Sequence, residues 1–238
     1  MQPPEWTVTD APTRCPYLPG EVARLPLRLP LRAVGPREFA AHLRAGDRRQ
    51  GLLLYRTQCP FCTACEPIRI RVAAFRPDQT QRRTFRRGEA QLQCAIAPPM
   101  VTAEKVALYN RHKLERGLLV GDGLLDATSY EQFLVDTCTD TIEITYRYQG
   151  MLVGVALADR AADALSAVYC YYDPGYARLS LGTYSILKQI EYCRAWKLPY
   201  LYLGLYVAGC QAMSYKARFL PHERLIGGSW RHFDRSSG

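Results

Sequence analysis

Apolar and polar residues follow two different periods between residues 166 and 206, which predicts a strand, a helix and a second strand. Residues 166–172 are mainly aromatic and small, as in a strand, and Asp173-Pro174-Gly175 then forms a turn. After the turn, a set of mainly apolar residues recurs at three- and four-residue steps, the pattern of an amphipathic helix: Leu179, Thr183, Ile186, Ile190 and Cys193. Pro199 ends this helix, and tyrosine then alternates with leucine over residues 200–206, so the next strand should have a phenolic face and an aliphatic face. We therefore expect a parallel strand–helix–strand unit within an α/β layer.

The remaining residues predict shorter elements and a boundary near Pro98. Helices are expected at residues 36–44, 102–117 and 129–135, and strands at residues 51–55, 68–75 and 91–96. The first 14 residues are rich in proline and should be poorly ordered. Because Pro98 and Pro99 interrupt the pattern, we predict two domains, residues 1–98 and 99–238.

Composition and charge narrow the class of protein. The 238 residues are 48% hydrophobic, which is enough for a proper core, and the net charge of +9 suits a polyanionic partner such as RNA. No apolar run approaches the roughly 18 residues of a membrane span, and the N-terminus lacks the pattern of a secretory signal. We expect a cytoplasmic protein without a membrane partner.

The densest basic run lies at residues 76–87, where five arginines surround a phenylalanine: Arg76, Arg82, Arg83, Arg86 and Arg87 with Phe85. Such a run forms either a solvated face or a surface that contacts phosphate groups.

Cysteines supply the candidate metal site. Nine cysteines in a chain without a signal peptide argue against a disulfide framework. The spacing of Cys59, Cys62 and Cys65 lets three thiolates surround one zinc ion or an iron–sulfur cluster, and Cys15 is the candidate fourth ligand. The alternative is that these cysteines are small apolar residues buried in a tight loop.

Four motifs resemble the aminoacyl-tRNA–protein transferases. They are the CPxCxxC loop at residues 59–65, RPxxxQRR at residues 76–83, the segment IEITYRYQGMLVGVALAD at residues 142–159, and residues 166–219 with YKxxF at their end. The nearest branch is that of the bacterial aspartate/glutamate leucyltransferases. The resemblance implies a mixed α+β, GNAT-like acyltransferase fold with two GNAT-like halves, a cysteine-containing N-terminal region, and a sheet that splays at two central strands.

The resemblance also implies a reaction. Leucine would move from Leu-tRNA to the N-terminal amine of proteins that begin with Asp or Glu, as in the N-degron pathway, with a downstream proteolytic adaptor as an indirect partner. An ester becomes an amide, so the chemistry requires no cofactor. With one glycine, the step from Arg178 to Thr183 is a poor coenzyme A loop, which supports a different acyl donor. The alternatives are an arginyltransferase and, in another class, a non-catalytic metal-dependent RNA-binding protein.

Candidate site residues follow from these motifs and from the predicted unit. The candidates for a weak general base are Asp173, Tyr171, Tyr202 and Tyr206, and Lys216 is the candidate for stabilising the oxyanion. The start of the predicted helix and the YKxxF segment supply the candidate donor-binding residues: Arg178, Ser180, Gly182, Thr183, Tyr184, Arg218 and Phe219. Selection of an acidic acceptor needs a fixed cation, and we assign it to Arg76, Arg82 and Arg83.

Overall fold

A computed structural model describes residues 3–118 and 123–235, which form strands and helices in alternating groups. The strands are β1 (Glu5–Thr9), β2 (Thr13–Arg14), β3 (Val22–Ala23), β4 (Leu27–Pro30), β5 (Arg48–Gln50), β6 (Leu53–Tyr55), β7 (Glu66–Arg71), β8 (Leu92–Ala97), β9 (Thr141–Tyr148), β10 (Met151–Ala161), β11 (Ala164–Tyr172), β12 (Tyr200–Tyr206), β13 (His222–Ile226) and β14 (Ser229–Phe233). The helices are α1 (Pro36–Arg44), α2 (Gln79–Gln91), α3 (Ala103–Glu115), α4 (Ala127–Tyr130), α5 (Leu181–Ala195) and α6 (Gln211–Ser214). A π-helical turn at Glu131–Val135 follows α4, and 3-10 turns lie at Pro174–Leu179 and Tyr215–Arg218.

An eight-stranded mixed sheet forms the centre of the protein. Its strand order is β14-β13-β7-β12-β11-β10-β9-β8, and β11 and β12 run parallel while the other neighbouring pairs are antiparallel. Strands from both sides of residue 98 hydrogen-bond in this sheet, since β7 lies between β12 and β13 and β8 lies beside β9. The division at residue 98 stays a prediction, and the sheet crosses it.

Helices cover both faces of this sheet. Leu165 and Leu201 lie in the apolar cluster that contains the buried side of α5, whereas Ala164 and Tyr202 lie in the cluster that contains α1. Helix α2 packs against α5 on the first face. On the second face, α3 and α4 bury Tyr171, and a small sheet of order β1-β4-β6-β5 lies near α1. The result is a three-layer arrangement around the sheet.

The two parallel strands separate shortly after they pair. Pairing between β11 and β12 is limited to Ala164 with Tyr200, Leu165 with Leu201 and Ser166 with Tyr202. In β12 the register with β7 shifts between Tyr202 and Gly204, and Gly204 has a φ of +87°, so a bulge bends the strand. We call the space between residues 167–172 of β11 and residues 203–206 of β12 the splay.

Most predicted elements are confirmed, and three expectations are wrong. The helix at residues 36–44, the cap at Thr102 and the strand–helix–strand unit are present. Residues 5–9, expected to be poorly ordered, form β1 because β4 offers them a hydrogen-bonding partner. The predicted strand at residues 51–55 is the hairpin of β5 and β6, since Gly51 turns the chain with a φ of +55°. The bulge at Gly204 also interrupts the expected alternation, so Tyr206 packs against the cluster that holds Leu201.

Among the helices that the structure describes, none is long and apolar enough to cross a membrane.

Candidate functional site

Two cationic side chains extend into the splay. Arg48, from β5, donates to the Ser166 hydroxyl at 2.9 Å and to the Ala167 carbonyl at 2.7 Å. Lys216, from the 3-10 turn, donates to the Leu205 carbonyl at 2.7 Å. Because the separated strands no longer pair, their carbonyl groups need other donors, and the two cations supply them.

The charge of Arg48 has no acidic partner within ion-pair distance in the part of the chain that the structure describes. The adjacent Arg49, by contrast, forms a buried ion pair with Asp159, with Nε 2.8 Å from Oδ2. Arg48 is 8% exposed, and burial lowers the pKa of its guanidinium. A buried charge without a counterion is costly, so this arrangement indicates a site for an anion.

Lys216 has a different character, because it can lose its proton near neutrality. Burial, and secondarily the charge of Arg48, lowers the pKa of Lys216 to about 7. Burial lowers the pKa of lysines that act as general bases in the same way. A lysine that is partly neutral at pH 7 can accept a proton. The splay therefore holds one fixed cation and one titratable amine.

Gly204 keeps the space between the two cations open. A Cβ at this position would lie 3.3 Å from Nη2 of Arg48 and 3.5 Å from Nζ of Lys216. Both cationic groups thus border the volume that the missing side chain leaves. Tyr215, 38% exposed, lies near Cys170 and Tyr172 of β11, at the rim of the splay.

The N-terminus of α5 lies beside the end of β11. Ser180, which precedes the helix, has a φ of +50° and makes no capping hydrogen bond with its side chain. A Cβ on Gly182 would lie 3.4 Å from the Tyr172 ring, and the Tyr172 hydroxyl accepts a hydrogen bond from Arg116 at 2.7 Å. The first turn of α5 therefore offers backbone N–H groups next to an exposed arginine, which suits an anion.

The arginine run forms one face of α2. Asp78 and Gln81 form a reciprocal capping box that starts this helix, and four exposed arginines follow it: Arg82, Arg83, Arg86 and Arg87. Gly88, on the buried side, lets α2 approach α5, since a Cβ there would lie 2.1 Å from the Tyr184 ring. The Arg87 guanidinium donates to the Arg178 carbonyl, so the basic face reaches the turn before α5.

A surface groove of about 260 Å³ continues this basic face between α2 and α5. Phe75, Phe85 and Leu187 line it together with Arg82 and Arg194. The groove lies on the outer side of α5 and contains neither of the cations of the splay. The groove is a continuation of the arginine face and is separate from the splay.

The predicted general bases do not meet in the splay. Tyr171 is fully buried among α3 and α4, with its hydroxyl 2.5 Å from that of Tyr130. The Tyr202 hydroxyl accepts a hydrogen bond from Arg69 on the α1 face, and the Arg224 guanidinium lies 4.6 Å from the centroid of the Tyr206 ring. Asp173 lies at the end of β11, but its oxygens are engaged by Arg111 at 2.6 Å and by the Gly175 N–H at 2.9 Å. Of the predicted catalytic residues, Lys216 is the one that reaches the splay.

The predicted donor-binding residues divide into two groups. Ser180, Gly182 and Thr183 lie at the start of α5, and Arg178 and Arg218 are exposed. The side chains of Tyr184 and Phe219 lie in the core instead. Tyr184 donates to Glu89 at 2.6 Å, and Phe219 stacks on Phe75 with the ring centroids 6.4 Å apart. Those two side chains support the helix and the 3-10 turn rather than a ligand.

The cysteine loop lies close to the splay. Burial, followed by the charges of neighbouring thiols, raises the pKa of Cys65 to about 12, and those thiols are Cys59, Cys15, Cys62 and Cys210. Cys15 accepts hydrogen bonds from the N–H groups of Tyr17 at 3.5 Å and Leu18 at 3.4 Å. Across residues 3–118 and 123–235, however, no three His, Cys, Asp or Glu side chains stand close enough together to hold a metal ion. Four thiols are suitable ligands for a soft metal ion, but they do not lie close enough together in this structure to coordinate one.

Sequence reasoning missed Arg48, Cys210 and Tyr17. Arg48 and Arg49 look alike in the sequence, and only the tertiary fold gives one of them an acidic partner. The charges of Arg48 and Cys65 both affect the pKa of Tyr17, so the turn that begins at Cys15 lies near Arg48, which lines the splay. In the sequence, residues 15–20 (CPYLPG) have the composition of a turn, but this composition does not show which way the Tyr17 side chain points.

Comparisons of the sequence with protein families and with individual proteins indicate the same family. The family models for the C terminus and the N terminus of arginine-tRNA-protein transferase match residues 104–226 and 13–83. An aspartate/glutamate leucyltransferase from Chromobacterium violaceum is 39% identical over 221 residues, which cover 93% of this chain and 91% of that protein. One from Gluconacetobacter diazotrophicus is 39% identical over 236 residues, covering 98% of this chain and 89% of that protein.

A solved structure is similar in fold. It is the C-terminal domain (DUF2156) of a candidate lysylphosphatidylglycerol synthetase from Agrobacterium fabrum, with a TM-score of 0.51 and 12% identity over 81% of this chain and 62% of that chain. At this identity the likeness concerns the fold alone. The fold is a mixed α/β, GNAT-like fold, and the splayed parallel pair that the family resemblance implied is part of it.

Proposed function

Because the chain belongs to the arginine-tRNA-protein transferase family, we propose that it transfers leucine from Leu-tRNA to the N-terminal amine of proteins that begin with Asp or Glu. The observation that carries the proposal is the pair of buried cations in the splay of an acyltransferase sheet. The relatives with 39% identity are leucyltransferases by name, which favours leucine over arginine as the transferred residue. We place the reaction in the cytoplasm, where aminoacyl-tRNA is available, and the product carries the N-terminal leucine of an N-degron.

Aminolysis of the leucyl ester needs little chemical assistance. The α-amine of the acceptor has a pKa of about 7.7 to 8.0, so a fraction is already neutral at pH 7 and can attack the ester carbonyl. Lys216 accepts the proton that the amine nitrogen loses as the C–N bond forms, and returns it to the 3′ oxygen of the tRNA as the C–O bond breaks. The Lys216 ammonium formed in this way stabilises the negative charge that develops on the carbonyl oxygen. Positioning supplies the rest of the rate enhancement.

Transfer of a labelled amino acid tests the function directly. The purified protein is incubated with labelled Leu-tRNA or Arg-tRNA and with peptides that begin with Asp, Glu or Lys. We expect label from Leu-tRNA on the Asp and Glu peptides. Label from Arg-tRNA instead would identify an arginyltransferase, and transfer to no peptide would favour a binding protein without activity.

The donor tRNA approaches from the α5 side of the sheet in this proposal. The exposed arginines of α2 follow the RNA backbone, the groove beside Phe85 suits an unpaired base, and the N-terminus of α5 receives a terminal phosphate near Arg178. Arg76, Arg82 and Arg83, which the sequence assigned to acceptor choice, lie on this side. Arg76 and Arg82 donate to backbone carbonyls of Phe75 and Pro77 at 3.0 and 2.6 Å.

Replacing Arg83 and Arg86 together with glutamine should weaken tRNA binding and flatten its salt dependence. Each lost phosphate contact should reduce the slope of log Kobs against log salt concentration by about 1, because fewer counterions are released. Filter binding or fluorescence anisotropy between low and moderate salt measures this slope. Arg37→Gln, an exposed arginine of α1 on the opposite face, is the matched control and should leave the slope unchanged. A slope change in the control about half that of the double variant, one charge against two, would mean that only net charge matters.

We further propose that Cys15, Cys59, Cys62 and Cys65 hold a structural zinc ion or iron–sulfur cluster. Thiolate ligation of this kind couples metal binding to folding, and no step of the transfer depends on it. The support is the effect of the other three thiols on the pKa of Cys65, which places them near it, and the spacing of Cys59, Cys62 and Cys65 in the sequence.

Cys62→Ser should therefore remove the metal and lower stability. Elemental analysis of anaerobically purified protein should find zinc or iron in the native chain, and thermal denaturation should show a lower Tm for the variant. Cys138→Ala, in the α1 cluster, is the control that should lower stability by leaving a cavity and keep the metal content. A metal-free native protein and an unchanged Tm for Cys62→Ser would leave the buried-thiol interpretation.

A further inference from the structure

The splay contains a cation that the transfer mechanism does not use. Lys216 handles the proton, whereas Arg48 cannot titrate and holds its charge at every working pH. Arg48 is nevertheless buried and points into the same space as Lys216. A fixed, desolvated guanidinium beside a reacting amine suits recognition better than chemistry.

We propose that Arg48 binds the side-chain carboxylate of the acceptor's first residue, so that it is the residue which selects Asp and Glu. The inference rests on the proposed function and names the subsite within it. It places acceptor choice at Arg48 instead of at the arginine run of α2.

Burial is the first reason to prefer Arg48 over the α2 arginines. An exposed ion pair is worth little, because water and salt screen both charges, and it would favour an acidic acceptor only a few-fold. Arg83 and Arg86 are exposed, whereas Arg48 is 8% exposed. Strong discrimination arises when a neutral acceptor residue, such as Asn, leaves a buried charge unpaired. Of these arginines, Arg48 is the one whose charge is buried.

The remaining donors of Arg48 match a carboxylate. Its guanidinium has five N–H groups, of which two bond to Ser166 and Ala167, and Tyr55 lies near it. The donors that remain can approach the two oxygens of a carboxylate, which arginine binds in a planar fork. Asp159, a fully buried acid of β10, cannot compete because Arg49 binds both of its oxygens, at 2.8 and 2.9 Å.

The position of Arg48 also separates the acceptor from the donor. Arg48 comes from β5 in the layer that contains α1, on the face opposite α5 and the arginines of α2. An RNA phosphate would approach from the α5 side and is too bulky for a buried fork. Because Gly204 leaves open the space that both cations border, a carboxylate on Arg48 puts the α-amine, which is two carbons away in Asp and three in Glu, beside Lys216. Both side-chain lengths, Asp and Glu, fit that requirement.

Peptide binding tests the proposal without requiring transfer. Calorimetric titration of the full chain with matched peptides that begin with Asp or Asn measures the contribution of the carboxylate. We expect the native protein to bind the Asp peptide at least about a hundredfold more tightly. Arg48→Gln should bring the Asp peptide down to the affinity of the Asn peptide and leave the latter unchanged, and Arg48→Lys should retain an intermediate preference. Equal losses for both peptides would overturn the assignment.

A second measurement on the unaltered protein covers the case in which Arg48 variants fail to fold. A carboxylate between Arg48 and Lys216 favours the charged lysine, so binding of the Asp peptide at pH 7 should take up protons. Titrations in buffers of different ionisation enthalpy count those protons, and the Asn peptide should take up none. No difference between the peptides in either affinity or proton uptake would sink the proposal. If the peptides bind as expected but no leucine is transferred, the proposed function fails and the carboxylate site stands.

Discussion

The Lys216→Met variant should lose at least about two orders of magnitude in kcat/KM for leucine transfer, because general-base catalysis typically contributes 10²- to 10⁴-fold. Its fold should survive the change. Removing a lysine whose pKa is lowered by burial relieves a cost on the order of a few kcal/mol. The same change removes the donor of the Leu205 carbonyl, which costs about 1–3 kcal/mol. Since the two terms nearly cancel, Tm should change little while activity falls.

The pH dependence distinguishes a proton acceptor from a structural residue. In the native protein, kcat/KM should rise with pH through two deprotonations, that of Lys216 near 7 and that of the acceptor amine near 8. The variant should keep only the second. Lys216→Arg is the control that keeps the charge and the hydrogen-bond donor, and it should not restore activity. A pH profile of the variant that is simply scaled down would show that Lys216 acts through structure alone.

Stability should follow pH in a direction fixed by the same lysine. The pKa of Lys216 is about 7 in the folded chain and 10.5 ordinarily, so the unfolded chain binds more protons between these values. Folding is therefore favoured progressively as pH rises through that window, and below pH 7 the full cost of the buried charge remains. Comparing denaturant midpoints of the native chain and Lys216→Met across the window isolates this contribution.

Gly88→Ala should destabilise the protein by at least about 2 kcal/mol, although alanine normally stabilises a helix by about 1 kcal/mol over glycine. The reason is contact between helices, because the new Cβ would lie 2.1 Å from one ring carbon of Tyr184 and 2.2 Å from another. Tyr184 cannot move aside cheaply, since its hydroxyl bonds to Glu89 at 2.6 Å and its ring lies near Phe85 and Tyr146. Thermal denaturation should show a Tm lower by roughly 5 °C or more.

A double-mutant cycle identifies the cause of that loss. In a Tyr184→Leu background, where the side chain is smaller, Gly88→Ala should cost much less or become stabilising. A Tm that rises in the single Gly88→Ala variant would mean that the helices have room to separate, and the close packing would then not be required.

The sequence predicted the fold where the signal is local. The helix at residues 36–44 begins at a proline and ends at charged residues, and α3 begins after the cap Thr102, so short-range patterns were sufficient. The strand–helix–strand unit combined two clear periods with a turn of Asp, Pro and Gly. What the sequence could not show is the bulge at Gly204, because strand alternation assumes a regular register.

The candidate site was harder to predict, because its residues come from distant parts of the chain. Lys216 was found through the YKxxF motif, but Arg48 lies 168 positions earlier in an ordinary charged segment of the sequence. The role of Arg48 depends on the fact that Asp159 forms its ion pair with the neighbouring Arg49, and this pairing is visible only in the folded structure. Tyrosines attracted attention because they alternate with leucine, yet Tyr171 and Tyr202 satisfy buried polar groups in the core.

The insertion of β7 between β12 and β13 determines the order in which the newly made chain can complete its sheet. Residues 66–71 leave the ribosome long before residues 200–226, so β7 must wait with both edges unpaired until its two neighbours have been synthesised. Strands that are far apart in the sequence pair slowly, because the entropy cost of closing a long loop comes before any favourable contact forms. A nascent chain stalled before residue 200 would therefore expose a strand edge that invites aggregation, and it is there that a chaperone would be needed most.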